Sequence, residues 1–226
     1  MQDYKNYKIV KGWSGDEFFL PTTDSRRIFR ELNFIKAQNV YELGFGNGAL
    51  INLFSASNCK VFGKELDESL NSLARENGVE IASLVELKDD SVDLVLAIDV
   101  LEHLTLSEIS DFMCTAAKKL KVGGSLYLRF PNGDSLLSNY IQYGDTTHIT
   151  RIGAGMLLQL AINARLHITR MCREPVRIKS YRDLPRFIID AVASDLISFA
   201  IRLFARPACS THFWSRNYTV LLKRIS

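Results

Sequence analysis

The stretch NVYELGFGNGAL, Asn39 to Leu50, passes from a short apolar run ending near an acid, through three glycines at alternate positions, to an apolar run of different period. It predicts a strand, a tight turn and the first turn of a helix. Val40, Tyr41 and Leu43 suit a strand buried on both faces, because β-branched and aromatic residues pack well on a pleat covered on either side. Gly44, Gly46 and Gly48 strip the β-carbons from one side of the turn, so the backbone there can take positive φ and approach a ligand closely. The helix predicted over 49–56 would aim free amide donors at that ligand. A small polar molecule is the expected occupant.

Upstream, Asp24 is the candidate cap of a helix running to about Ala37. Ile28, Phe29, Leu32, Phe34 and Ile35 lie mostly on one side of it, and Arg26, Arg27, Arg30 and Glu31 on the other. Residues 1–23 carry Tyr4, Tyr7, Trp13, Phe18 and Phe19 without a clear period and read as a covering arm. Downstream, KVFGKE (Lys60–Glu65) predicts a second strand ending in an acid, followed by a helix over 67–76 with a stop at Asn77 and Gly78. Further strands are expected over 79–84 and 93–98, then a helix from Thr105 or Ser107 to about Leu120. Gly123 and Gly124 turn the chain into SLYLRF, a fifth strand. A helix over 153–165, a strand over 167–171 and a last strand NYTVLLKR (Asn217–Arg224) complete the pattern.

Strands alternating with helices at this spacing predict an α/β fold with a largely parallel sheet covered on both faces, because parallel neighbours need crossover connections. Ligands of such sheets bind at the carboxyl ends of the strands, where the strand order reverses. Glu42, Glu65 and Asp99 fall at or near those ends, so one crevice could collect all three.

Composition narrows the class. With 226 residues the chain can bury a full core as one domain, and 47% apolar against 23% charged residues excludes disorder. Cys59, Cys114, Cys172 and Cys209 form no CxxC pair, which argues against a zinc site or a disulfide scaffold and for a reduced setting. The start, MQDYKNYKIVKGW, lacks the apolar core of a signal peptide, and no apolar run is long enough to span a membrane. A cytoplasmic location is expected. The net charge of +3 is too small to imply nucleic acid, but from Arg173 onward ten Lys or Arg stand against four Asp or Glu, leaving the first 172 residues at minus three. The chain therefore divides into an arm and helix over 1–38, a core over 39–172, and a basic segment over 173–226 belonging to the same domain.

Gly44, Gly46 and Ala49 satisfy the dinucleotide fingerprint, with Glu65 standing about 20 residues on as a ribose-binding acid. A nicotinamide-dependent oxidoreductase is thus one reading. Glu42 weighs against it, since its charge is unhelpful beside a pyrophosphate but suits an ammonium group. Gly48 adds a small position that a pyrophosphate turn does not require. A cofactor with an amino-acid end, a ribose and an adenine fits both features.

These residues resemble the class I S-adenosylmethionine-dependent methyltransferases. VYELGFGNGAL is similar to their first motif, GKELDES to the segment with the ribose acid, and SVDLVLAIDVLEHL and LKVGGSLYLRFPN to their fourth and fifth strands. Together these cover Asn39 to about Leu166. The resemblance implies a Rossmann-like, seven-stranded sheet with an antiparallel last strand, a place NYTVLLKR can fill. It places Glu42, Gly44, Phe45, Gly46 and Gly48 around the methionine, Glu65 and Leu66 at the ribose, Ser83 and Leu84 by the adenine where an aspartate is common, and Asp99 and Val100 at the cofactor's other side. Within the family, the domain resembles the ubiquinone-pathway and polysaccharide-cluster O-methyltransferases.

Methyl transfer from a sulfonium is an in-line displacement that needs positioning and removal of a proton from the acceptor. His148, in YGDTTHITR, is the leading candidate base, and His103 and Asp99 are the other candidate catalytic groups. Asp99, Glu102 and His103 look like the acid and acid-histidine cluster of ubiquinone-pathway enzymes, some of which use a divalent metal; LEH also stands in many metal-free methyltransferases, and no metal is expected. FPNG occupies the place where nucleic-acid amino methylases carry DPPY or NPPY, which argues against a nucleic-acid partner. O-methylation of a small-molecule, sugar or quinol-like acceptor is the reading, with a non-catalytic S-adenosylmethionine-binding module as a further alternative. His167 and His212 belong to no constellation. Residues 182–206 predict a helix with a broad apolar face, suited to a lid, a homodimer contact or peripheral binding at the inner face of a membrane.

Overall fold

The computed structural model describes residues 18–135, 138–174 and 215–225, with single helical positions at 185, 188, 192, 196 and 199. The helix α1 (Thr23–Leu32) continues into a short 3-10 turn over 33–35, and the chain then enters β1 (Asn39–Leu43). Three strand-and-helix units follow: α2 (Ala49–Ser55) leads to β2 (Lys60–Lys64), α3 (Glu68–Glu76) to β3 (Glu80–Ile81), and a 3-10 turn to β4 (Val92–Ile98). Then come α4 (Leu106–Lys119), β5 (Leu120–Pro131), α5 (Asn139–Gln142), α6 (Ala154–Asn163), β6 (Leu166–Arg173) and β7 (Asn217–Arg224). The seven strands form one sheet in the order β3-β2-β1-β4-β5-β7-β6. β7 inserts antiparallel between β5 and β6, and the pairings among the first five strands are parallel.

Both faces of the sheet are buried, as an apolar strand such as VDLVLAI requires. Leu94 and Leu96 face α1, α2 and α3 with Ile28, Leu32, Ile51, Phe54 and Leu70, while Val95 and Ala97 face α4 and α6 with Ile109, Met113, Leu157 and Ala161. Local signals fix the helix ends. Thr105 caps α4 in a capping box with Glu108, and Asp67 caps α3 through Ser69. Helix α1 is capped two residues earlier than the sequence suggests: Thr22 accepts from Ser25 N–H in a capping box, and Asp24 lies inside the first turn. Asp24 is thereby freed for a longer-range role. The expected third strand shrinks to two residues, because Ser83 opens a 3-10 turn over 84–86 in a capping box with Glu86. The fifth strand starts earlier than expected, at Leu120, with Gly123 at φ 81° and a register shift against β4.

Charge as well as apolar burial docks α1. The guanidinium of Arg129, on β5, donates to both oxygens of Asp99 at 2.9 and 2.5 Å and to Asp24 at 2.5 Å. Glu174, just past β6, pairs with Arg27 at 3.3 Å, and Arg27 also holds Asp24 at 3.0 Å. Arg170 closes the chain of pairs onto Glu31. Of this set Arg129 is the most enclosed, with 10% of its side chain exposed.

Ile188, Val192, Leu196 and Phe199 are helical and exposed, consistent with one apolar side of the expected 182–206 helix. The other positions of that helix, Cys209, His212 and most of the aromatic arm lie outside the described residues. No described helix is long and apolar enough to cross a membrane.

Replacing Arg129 by methionine leaves Asp24, Asp99 and Glu174 facing one another without their shared cation. A loss of about 3 kcal/mol in urea denaturation is expected, with a smaller loss for Asp24→Asn, which leaves the Asp99 pair in place. Equal stability of the Arg129→Met variant and the unaltered chain would remove the guanidinium from its role in docking α1.

Candidate active site

β1 pairs with β2 on one side and with β4 on the other, so the connections leaving β1 and β4 part company at their carboxyl ends. A crevice of about 410 Å³ opens there, within the range of small-molecule sites. Its floor is the glycine loop, with Glu42 behind it. One wall is Lys64 to Asp67 and the other Ile98 to Val100 with His103, and Asp24, Ser25 and Ile28 close it from α1.

The glycines have distinct reasons. Gly44 sits at φ 65°, and a β-carbon there would come within 2.6 Å of Val100 Cγ2. Gly48 sits at φ 72°, and a β-carbon would strike the Phe19 ring at 2.6 to 2.8 Å. Phe19 is buried over the loop and tied to it, its N–H donating to Asn47 O at 2.7 Å and its carbonyl accepting from Asn52 Nδ2 at 2.6 Å. Phe45 is buried and lines the crevice beside Gly46.

Glu42 is buried, and its Oε2 has no hydrogen-bond partner among the described residues. Burial, and next the nearby charge of Glu65, push its carboxyl from the ordinary 4.5 up to about 8, against the pull of Arg129. An orphaned carboxyl oxygen on the wall of a crevice is a place made for a cationic donor. Glu65 is held open toward the loop: Oε2 accepts from Gly46 N–H at 2.9 Å and Oε1 from Leu66 N–H at 2.8 Å. Its backbone is gripped by Asn71, which is fully buried on α3, accepts from Glu65 N–H at 3.0 Å and donates to Glu65 O at 2.9 Å. Sequence reasoning passed over Asn71, though a lone asparagine on the apolar side of a predicted helix was a usable signal. Leu66 lines the crevice with its side chain exposed.

Ser83 and Leu84 do not line the crevice. Ser83 N–H donates to Glu86 at 2.6 Å within the 3-10 turn, and Leu84 is buried on the α4 side of the sheet. Lys64 and Asp67 stand at the crevice instead.

Asp99 lines the crevice at φ 55°, its N–H donating to Arg129 O at 2.9 Å. Both its carboxylate oxygens accept from Arg129, so its charge is already engaged. Arg129 was legible only as the one cation inside SLYLRF, an otherwise apolar strand.

His103, in the 3-10 turn Leu101–His103, lines the crevice; His148 stands behind it with 6% of its side chain exposed. The two rings meet edge to face at 4.6 Å between centroids. Glu102, also buried, joins them, and one donor atom from each of the three lies within 4.8 Å of the others. Two imidazoles and a carboxylate at that spacing could hold a divalent cation. The structure thus groups His148 with Glu102 and His103, in the place where the sequence suggested Asp99. The loop carrying His148 is stapled to this turn: Ile149 and Thr150 N–H donate to Glu102 O at 2.8 and 3.1 Å, and the Thr150 hydroxyl donates to Leu104 O at 2.5 Å.

Comparison with known proteins bears on this geometry. Residues 41–128 match the sequence profile of a methyltransferase domain family. No curated protein sequence matches the chain. Among solved structures, an S-adenosylmethionine-dependent methyltransferase from Archaeoglobus fulgidus is similar over 98% of this chain and 100% of its own, at 19% identity and a TM-score of 0.65. One from Mesorhizobium loti is similar over 87% and 97%, at 16% identity and a TM-score of 0.57. Phosphoethanolamine N-methyltransferase 2 of Haemonchus contortus, solved with S-adenosylmethionine, is similar over 94% of this chain and 55% of its own, at 16% identity and a TM-score of 0.63. At these identities the structures speak for the fold, and the profile match speaks for the family. Together with the glycine loop, its two acids and the antiparallel seventh strand, they give residues 41–128 as a methyltransferase domain on a Rossmann-like fold shared with S-adenosylmethionine-dependent methyltransferases.

Proposed function

We propose that the enzyme transfers the methyl group to an oxygen of a small-molecule, sugar or quinol-like acceptor. The observation that carries this reading is the pair of imidazoles beside the crevice, with His103 on its wall. A hydroxyl becomes a competent nucleophile only as its proton leaves, and a neutral imidazole accepts that proton near pH 7. Bound S-adenosylmethionine supplies an electrophilic methyl group on a sulfonium. Around it, Glu42 receives the ammonium group, the glycine loop leaves room for the methionine backbone, and Glu65 turns to the ribose hydroxyls. Asp99 is held by Arg129 and shapes the wall, so the proton goes to His103, with His148 packed against it.

The test is incubation with deuteromethyl S-adenosylmethionine and panels of phenols, sugars and amines, read by mass spectrometry. A labelled methyl ether is expected. Labelled amines alone would overturn the oxygen reading. With a responsive hydroxyl acceptor, His103→Gln is expected to lower kcat by about 10² to 10⁴ while S-adenosylhomocysteine affinity stays unchanged.

Glu42 makes the cofactor site sensitive to pH. In the empty protein its carboxyl keeps a proton up to about 8, whereas the unfolded chain loses it at 4.5. The folded state therefore binds more protons between those values, and this group's contribution to stability falls as pH rises through that window. Glu42→Gln is expected to flatten that slope in thermal melts. A ligand ammonium favours the charged form, so S-adenosylhomocysteine should bind more tightly as pH rises from 6 to 8, with proton release detectable by calorimetry in buffers of different ionisation enthalpy. Glu42→Gln should abolish the release and weaken binding at pH 8 by about tenfold or more. Unchanged proton release in that variant would assign it to another group.

A further inference from the structure

We infer that Thr147 and Asp145 are positioning residues that lock His103 in the tautomer with its proton on Nδ1, leaving the Nε2 lone pair for the acceptor proton. This rests on the proposed role of His103 and specifies how the fold prepares it.

The assignment follows from which atoms can donate. His103 Nδ1 lies 2.8 Å from the Thr147 hydroxyl and 3.2 Å from the Thr147 carbonyl oxygen. A carbonyl oxygen only accepts, so that contact requires a proton on Nδ1. The hydroxyl leads to the same result by a separate route. It donates its one proton to Asp145 Oδ1 at 2.6 Å, and a carboxylate only accepts, so toward the imidazole the hydroxyl presents a lone pair. Both oxygens near Nδ1 are therefore acceptors. In the neutral ring the second nitrogen must then carry the lone pair.

The clamp is rigid. Asp145 Oδ1 also accepts from Thr147 N–H at 3.0 Å, which fixes the threonine from two sides. Thr147 belongs to the loop stapled to the 101–103 turn through Glu102 O and Leu104 O, so the ring and its acceptors move as one unit. His103 N–H itself donates to Val100 O at 3.0 Å, tying the turn to a residue of the crevice wall. Among the described residues, titratable groups close to the ring include Glu102 from its own turn and Asp145 and His148 from the loop, with His148 Nε2 3.9 Å from Asp145 Oδ2.

In the transfer, the bond from sulfur to methyl breaks with its electron pair going to sulfur, and the bond from acceptor oxygen to methyl forms. The acceptor's proton passes to His103 Nε2. The imidazolium so formed keeps its Nδ1–H on Thr147, and the Asp145 carboxylate one hydrogen bond further stabilises the positive charge. Thr147 and Asp145 touch neither cofactor nor acceptor in this scheme.

The full chain contains four histidines, so [¹⁵N]-histidine labelling yields a ring spectrum simple enough to assign with a His103→Gln variant. In chelator-treated protein at a pH where the ring is neutral, long-range ¹H–¹⁵N correlations should show a protonated Nδ1 and an unprotonated Nε2 for His103. Thr147→Val, which keeps the carbonyl but loses the hydroxyl and its tie to Asp145, should shift that pattern part of the way toward the averaged values of a ring exchanging between tautomers, while Thr147→Ser, which keeps the hydroxyl, should restore it. A protonated Nε2 in the unaltered chain overturns the assignment without any variant. A folded Thr147→Val protein, still binding S-adenosylhomocysteine, whose His103 pattern is unchanged overturns the positioning role of the Thr147 hydroxyl and Asp145, because the carbonyl alone would then hold the proton. Methyl transfer to nitrogen alone would remove the oxygen reading and leave the tautomer result standing, so the two failures are separable.

Discussion

The position of β1 between β2 and β4 is the constraint on which the site depends. A parallel strand needs a crossover to reach its neighbour, and here the chain leaves β1 toward one side and returns to its other side only at β4. The two sets of connections diverge at the carboxyl ends, and the gap between them cannot be filled by either. The acids at those ends are brought together by this geometry. Glu42 is the next-to-last residue of β1, Glu65 follows β2, and Asp99 follows β4. The glycine loop then crosses the gap with Gly44, Gly46 and Gly48 bare of side chains.

Gathering carboxylates around a 410 Å³ crevice has an electrostatic cost that the fold offsets in two ways. Arg129 reaches in from β5 and takes Asp99 and Asp24, which also pins α1 as the crevice's third side. Glu42 cannot be reached in that manner, and burial holds its proton instead. The charged lining remains acidic on balance even without Glu42, with Asp24, Glu65, Asp67 and Asp99 against Lys64 and Arg129. Such a surface favours a ligand carrying a sulfonium and an ammonium over its neutral thioether product, since only the first brings the extra positive charge. The same arrangement that stabilises the bound cofactor thus assists departure of the spent one.

Much of this was legible in NVYELGFGNGAL and its echoes along the chain. Strand burial on two faces, the glycine turn, the acids at strand ends and the antiparallel place of NYTVLLKR all rest on local composition or on resemblance, and the structure has these elements. What was not legible depends on which of several possible hydrogen-bond partners wins, some of them local and some distant in sequence. Thr22 displaced Asp24 as the cap because Ser25 could return its hydrogen bond, and Asp24 became a ligand of Arg129, 105 residues away. Asn71 stood out only by its place on the apolar side of a predicted helix, and what it holds shows once the backbone of Glu65 is seen against it. Ser83 and Leu84 turned away from the crevice because a local capping box with Glu86 outweighed continuation of the strand.

The division between rigid and variable parts explains why the cofactor was easier to read than the acceptor. The cofactor groups sit on strand ends whose positions follow from sheet register, so a short motif determines them. The proposed acceptor side includes a loop after β5 whose shape is fixed by hydrogen bonds to one turn, through Glu102 O, Leu104 O and His103 Nδ1. Those bonds use backbone carbonyls and a threonine, groups that leave no spacing pattern in a sequence. Yet they decide which imidazole nitrogen holds its lone pair and which of two adjacent histidines reaches the crevice. His148 stands out in the sequence because it follows a cluster of polar residues. His103 gains its place because that cluster folds back to hold it.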